Sequence, residues 1–339
     1  MTAWGSQRPA KVAVMGSGSW GTAFALVLSD AGNDVTLWAR RPELAAAINA
    51  EHRNADYFPT IELPEALHAV SDPQEAMVGA DFVVLGVPSQ SLRTNLSTWP
   101  IPGDAVVVSL AKGIELGTGL RMSEVVAEAG RIEAERIAVV TGPNLAREIA
   151  ERQPSASVVA SSSLETAGAL QRVCHTPRFR AYTNTDVIGC ELGGATKNVI
   201  ALAVGMAIGL GFGANATASV ITRGLAEITR LGLALGADPY TFSGLAGLGD
   251  LVATCSSPLS RNRTFGEELG RGRTVAEISA STRQVAEGVK SCASIQALAA
   301  QHGVEMPIVE NVAAVIAGDL TPAGLITTLM SRAAKPERY

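Results

Sequence analysis

Gly16-Ser17-Gly18-Ser19-Trp20-Gly21 follows an apolar run, Lys11–Met15, and opens a stretch with helical spacing, Trp20–Ala31. Glycines at this spacing suit a strand-to-helix turn lying against a pyrophosphate. The first permits the tight turn, the second lets the ligand approach the backbone, and the third lets helix and strand pack closely. Free N–H groups at the helix start then bind the phosphates. About twenty residues further on, an acidic residue would take the ribose hydroxyls of NAD. This chain has Arg40 and Arg41 there instead. Guanidinium groups suit a 2′-phosphate by charge and by bidentate hydrogen bonding. That favours NADP over strict NAD selectivity and weighs against FAD or SAM. Two solvated arginines at a helix start are the plainer alternative.

Six further segments offer chemistry. Gly86-Val87-Pro88-Ser89, Ala111-Lys112-Gly113 and Gly142-Pro143-Asn144 each follow a strand candidate. In a parallel sheet such loops gather at one edge, beside the dinucleotide. Lys112 there is either a cationic contact to substrate or cofactor, or a surface lysine. Lys197 and Asn198 head a run of 25 residues without a charge. A lysine among apolar neighbours loses solvation, which fits it for general acid–base work; alternatively its long stem reaches water. Asp250, in Gly247-Leu248-Gly249-Asp250-Leu251, could accept a hydrogen bond from a catalytic ammonium. Ser260, Arg261 and Asn262 offer a hydroxyl, a guanidinium and an amide, the groups a phosphate monoester needs; the alternative is a polar turn with ordinary cap residues. Nothing in the physics of Gln284-Val285-Ala286-Glu287-Gly288 singles out its glutamate.

These residues need two kinds of scaffold. Strand candidates run at Lys11–Met15, Asp34–Trp38, Phe82–Leu85, Val106–Leu110, Ile137–Thr141, Ser157–Ala160 and Phe179–Tyr182, with helical patterns between the early ones. Apolar strands bounded by loops and helices predict a parallel sheet covered on both faces. Beyond about residue 190 the pattern turns wholly helical, over 191–210, 216–235, 238–254, 282–302 and 307–317, with Pro239, Pro307 and Pro322 near helix starts. The expectation is an α/β plus all-α chain: a Rossmann-type doubly wound sheet over 1–190 and a helical substrate and dimerisation domain over 191–339.

Composition agrees. The 339 residues suffice for about two domains, and 47% hydrophobic with 17% charged residues excludes a disordered chain. A net charge of −5 disfavours non-specific nucleic-acid binding, which rests on phosphate neutralisation. Cysteines 174, 190, 255 and 292 lack the close spacing of a zinc site or a disulfide framework, so buried reduced thiols and no metal are expected. The N-terminus has no signal-peptide pattern, so a cytoplasmic setting is expected. The apolar stretch Val199–Ala214, cut by Gly205, Gly209, Gly211 and Gly213, is shorter than the ~20 residues a membrane span wants, and reads as a buried helix ending in a glycine-rich turn.

Taken together the motifs resemble the bacterial NAD(P)-dependent glycerol-3-phosphate dehydrogenases. The resemblance rests on GSGSWGTA at 16–23, WARR at 38–41, GVPS at 86–89, LAKGIE at 110–115, TGPN at 141–144, GATKN at 194–198, GLGD at 247–250, SRNR at 260–263 and VAEG at 285–288. It covers Lys11 to about Arg332. It implies an active site between the two domains and exchange of dihydroxyacetone phosphate and sn-glycerol 3-phosphate, for phospholipid synthesis. Carried over by motif, Lys197 is the acid/base, oriented by Asp250. Asp250, Ser260, Arg261 and Asn262 bind substrate, with Gly142 and Asn144 from the other side, and Lys112 touches substrate and cofactor. Gly16, Gly18, Ser19, Trp20, Gly21, Arg40, Arg41, Ala146, Arg261, Val285 and Glu287 line the NADP(H) or NAD(H) site; Glu287 enters by this route alone. Asn144 stands where Ser or Thr is common, and Thr196 where an aliphatic residue is common; an amide still donates and accepts. A homodimer through the helical half fits its apolar composition, as does a buried core. Competing readings are a sibling two-domain dehydrogenase acting on 6-phosphogluconate, ketopantoate or a hydroxy acid, a nucleotide-sensing protein without turnover, and a flavoprotein.

Overall fold

The computed structural model describes residues 8–281, 286–333 and 336. It divides into two compact units, Met1–Gly194 with Ala237–Asp250, and Ala195–Gly236 with Leu251–Tyr339.

The first unit holds one eight-stranded sheet. Its strands are β1 (Lys11–Met15), β2 (Asp34–Trp38), β3 (His68–Val70), β4 (Phe82–Leu85), β5 (Val106–Ser109), β6 (Ile137–Thr141), β7 (Ser155–Ala160) and β8 (Phe179–Asn184), in spatial order β3-β2-β1-β4-β5-β6-β7-β8. Val12 lies opposite Val35 on one side and Phe82 on the other. Alternate residues feed two cores. Val12 and Val14 join Leu37, Val84 and Val108 under Phe24 and Leu28 of the helix Ser19–Asp30. Ala13 and Met15 join Val83, Leu85 and Val107 under Leu92, Val125 and Val126. Both faces are therefore covered, as near-continuous apolar strands require.

The parallel expectation fails at one place: β7 runs antiparallel to β6, and β8 runs parallel to β7. Between β6 and β7 lies only the five-residue helix Ala146–Ala150. It rises about 7 Å, whereas a parallel return must retrace a strand of about 17 Å. β3 has no signal in the sequence, since its three residues are too few to show a period.

The sequence suggested one cut near 190, but the segment 237–250 belongs with the sheet. Ala246 packs against Val158, Ala160 and Cys190, and a side chain at Gly193 would strike the Ala246 carbonyl.

The second unit is helical among its described residues. The long helix Val187–Gly209 enters it at Ala195, joined by Ala214–Ala234, Arg261–Gly270, Val275–Ser281, Glu287–Gln301, Pro307–Ala317 and Pro322–Met330. Pro239, Pro307 and Pro322 each open a helix. Gly205 and Gly209 are not chain breakers. They meet Gly266 and Gly270, and a Cβ on any of the four would collide with the facing backbone. Gly211, at φ +86°, makes the turn that follows. Val187–Gly209 is, among the described residues, long and apolar enough to cross a membrane, yet 89% of its apolar window is buried within the fold. Cys174, Cys190, Cys255 and Cys292 are all buried, and burial pushes the Cys174 and Cys292 thiols up to about 12.

Glu227 is a buried acid with a structural task. Its carboxylate accepts the Ile308 N–H (2.8 Å) and the Val309 N–H (3.3 Å) at the start of Pro307–Ala317. Burial pushes its carboxyl up from 4.5 to about 7, with Glu310 adding to the rise and Arg230 opposing it. Between those two values the folded chain keeps a proton that the unfolded chain has lost, so raising the pH through this window costs folded-state stability. Glu227→Gln keeps an acceptor and removes the titration. Its stability relative to the parent is expected to rise between pH 4.5 and 7 in urea unfolding; a constant difference would contradict the assignment.

Candidate active site

The turn after β1 sets three glycines to different tasks. Gly16 adopts φ +134°, and a Cβ there would stand 2.6 Å from the Gly86 carbonyl oxygen. A Cβ on Gly21 would run into the Gly16 carbonyl. The fold itself requires both. Gly18 differs: it has φ −71° and nothing within 4 Å of an added Cβ. The packing of the fold thus places no demand on the absence of a side chain there. Ser19 starts the helix, whose first turn carries no acidic residue, so its N–H dipole end is left to an anion. Trp20 packs its ring 5.4 Å from that of Phe24, and its indole N–H is buried without a partner. Ala146, first residue of its own helix, packs on the same core as Trp20.

Parallel register carries the turns after β1, β2, β4, β5 and β6 to one sheet edge. Arg40 and Arg41 arrive there after β2, both exposed. Arg41 precedes Pro42–Glu51 and is ion-paired with Asp56, a partner the sequence did not suggest. Lys112, after β5, donates to the Asp250 carboxylate (2.6 Å) and to the Gly142 carbonyl (3.2 Å). Asp250 is 1% exposed, so this pair is desolvated and of the kind that is costly to break. Gly142 has φ +127°. Asn144 donates to Ser157 Oγ (3.0 Å), and its Oδ1 is buried with no partner. Gly194 clears room for the lysine, since a Cβ there would stand 2.9 Å from Thr141 Oγ1 and 3.4 Å from Lys112 Cδ.

The second unit holds the other group. Lys197 is buried and donates to Thr254 Oγ1 (2.7 Å). Asn262 donates to Asn198 Oδ1 (3.0 Å) and accepts the Gly288 N–H (2.9 Å), which ties three distant segments into one polar chain. Gly288 itself must lack a side chain, because a Cβ would meet the Asn198 carbonyl at 2.6 Å. Ser260 caps Arg261–Gly270 through the Arg263 N–H, and Arg261 is exposed at its first position. Glu287 opens Glu287–Gln301, half-buried. Val285 lies outside the described residues. Thr254 and Asn198 were missed as partners in the sequence; the one signal was that Thr254 stands one helical turn after Asp250.

Two family models match the chain, the NAD-dependent glycerol-3-phosphate dehydrogenase N-terminus over residues 11–167 and its C-terminus over 186–327. A glycerol-3-phosphate dehydrogenase [NAD(P)+] of Streptomyces avermitilis is 64% identical over 332 residues, 97% of this chain and 99% of the relative. One of Thermobifida fusca is likewise 64% identical over 332 residues, 97% of this chain and 99% of the relative. The solved structure of the glycerol-3-phosphate dehydrogenase of Coxiella burnetii superposes with a TM-score of 0.91 at 37% identity, covering 96% of this chain and 99% of that one. The chain belongs to the NAD-dependent glycerol-3-phosphate dehydrogenase family.

Proposed function

We propose that this protein reduces dihydroxyacetone phosphate to sn-glycerol 3-phosphate with NADPH or NADH, and so supplies the backbone of phospholipids. The observation that carries the reading is a lysine in each unit, each held by a polar partner of its own. Lys112 is fixed by Asp250 and Lys197 by Thr254, and Asp250 and Thr254 lie one turn apart on Asp250–Ser256.

The residues fit a dinucleotide. Gly18 leaves the backbone open, Ser19, Trp20 and Ala146 lie beside the turn, and Arg40 and Arg41 offer charge for a 2′-phosphate. The family resemblance assigns Glu287 and Val285 to the same role. When bound, the nicotinamide supplies the hydride that reduces C2. The chain's own residues do the rest. Ser260, Arg261 and Asn262 bind the substrate phosphate, with Gly142 and Asn144 contacting the remainder. Binding energy from that remote phosphate positions C2. Lys112 and Lys197 stabilise the negative charge that grows on the C2 oxygen, and Lys197 gives it a proton. Asp250 holds Lys112 in place. We assign the enzyme to the cytoplasm, as a homodimer through the helical unit, where Phe212, Leu233 and Leu259 expose apolar side chains.

A substrate panel tests the assignment. Dihydroxyacetone phosphate is expected to be reduced, with unphosphorylated dihydroxyacetone and ketopantoate at least ~100-fold poorer in kcat/KM, because a site built for a charged group rejects an analogue lacking it. Faster reduction of ketopantoate would overturn it. The Arg41–Asp56 pair gives a second test. Asp56→Asn frees the guanidinium for a 2′-phosphate, so KM for NADPH should fall about two- to fivefold, the usual worth of an exposed ion pair, with KM for NADH unchanged. Equal shifts for both cofactors would remove Arg41 from the 2′-phosphate site.

A further inference from the structure

The glycine-rich turn is braced from behind by a residue outside every motif. Asn54, in the link between Pro42–Glu51 and β3, is 0% exposed. Its amide donates to the Ser17 carbonyl (2.9 Å) and to Thr22 Oγ1 (2.9 Å). Its backbone carbonyl accepts the N–H groups of Tyr57 (3.2 Å) and Phe58 (2.7 Å), and Phe58 is sunk in the core beneath the sheet. The amide is thus anchored in rigid surroundings. Its Oδ1 is buried with no partner. An unpaired buried acceptor costs free energy that an apolar side chain of the same shape would not, so its oxygen does not account for an amide here.

The direction of its hydrogen bond does. In a trans peptide the C=O of one residue and the N–H of the next point opposite ways. Drawing the Ser17 carbonyl inward therefore turns the Gly18 N–H outward, and nothing in the protein lies within 4 Å of a Cβ added at Gly18. Glycines flank Ser17 on both sides, so this peptide is intrinsically soft. Released, its carbonyl could rotate outward and place a negative dipole end against a bound phosphate. We infer that Asn54 is a positioning residue for the cofactor: it fixes the polarity of the turn, keeping N–H groups facing the pyrophosphate and the Ser17 carbonyl away from it. This rests on the reading that the dinucleotide lies on this turn.

The test is a fluorescence titration of the whole protein with NADPH and with NADH. Asn54→Leu keeps the branched shape and removes the donors. Kd is expected to rise about tenfold, the worth of one well-made hydrogen bond, and equally for both cofactors, since the pyrophosphate is common to them. KM for dihydroxyacetone phosphate at saturating cofactor should stay within about twofold. Asn54→Asp adds a readout that loss of packing cannot imitate. As a carboxylate it has no donor, whereas protonated it again donates to Ser17, so its cofactor affinity should recover as the pH falls while the parent's does not. A folded Asn54→Leu with parental Kd overturns the inference, and so does an Asn54→Asp whose Kd relative to the parent ignores pH. Gly18→Val in the same titration separates the two levels. If it binds both cofactors normally, the dinucleotide lies elsewhere and the underlying reading fails. If it loses them while Asn54→Leu does not, only the role of Asn54 fails.

Discussion

Replacing Lys197 by Ala is expected to lower kcat by about 10²- to 10⁴-fold, the range that a positioned proton donor contributes, while the Kd for NADPH changes less than about twofold. The side chain is 7% exposed and donates to Thr254 Oγ1, so its ammonium has a fixed direction. In the proposed mechanism its removal takes away the proton donor and a stabilising charge from the oxygen at C2. Thr254→Val should reproduce a smaller part of the loss, because the lysine remains but loses one anchor. Stopped-flow mixing of enzyme and NADPH with dihydroxyacetone phosphate separates proton-dependent chemistry from binding. A Lys197→Ala enzyme turning over at near the parental rate would refute the assignment.

Gly18→Val is expected to weaken NADPH and NADH by at least ~100-fold while leaving the fold in place. A substitution that closes the approach of a pyrophosphate to the backbone removes several contacts at once. The structure argues that the loss falls on the ligand alone. The backbone at Gly18 has φ −71°, open to any residue, and no protein atom lies within 4 Å of the new Cβ. The stability cost is that of a poorer helix N-cap, at most ~1 kcal/mol. The same change at Gly16 or Gly21 would instead strike backbone and unfold the turn. Thermal unfolding beside a cofactor titration checks both halves. A Gly18→Val protein with parental affinity would place the dinucleotide away from this turn.

Most of the sheet strands were readable because they are rich in apolar residues, and the nucleotide turn because its glycines sit between strand and helix. β3 escaped because three residues show no period, and the reversal at β7 because strand direction depends on what the connection can span. Chemical groups were readable one by one, and their pairings were not. Lys112 and Asp250 are 138 residues apart, and nothing local marks them as partners. The chain Asn198–Asn262–Gly288 joins segments that only helix packing brings together. Glycine misled in one respect. Gly205 and Gly209 read as interruptions of an apolar run, whereas they let two helices touch backbone to backbone. A residue that breaks a helix in isolation is tolerated where burial against another helix returns more than its ~1 kcal/mol propensity cost.

The most direct test of the whole account is the loss of NADPH absorbance when dihydroxyacetone phosphate is added to the purified protein, with NADH run in parallel. Rapid oxidation that depends on the substrate is the expected result, with NADPH favoured if Arg40 and Arg41 hold the 2′-phosphate. No oxidation of either cofactor, from protein shown to be folded by its thermal transition, would contradict the substrate assignment and the role given to both lysines.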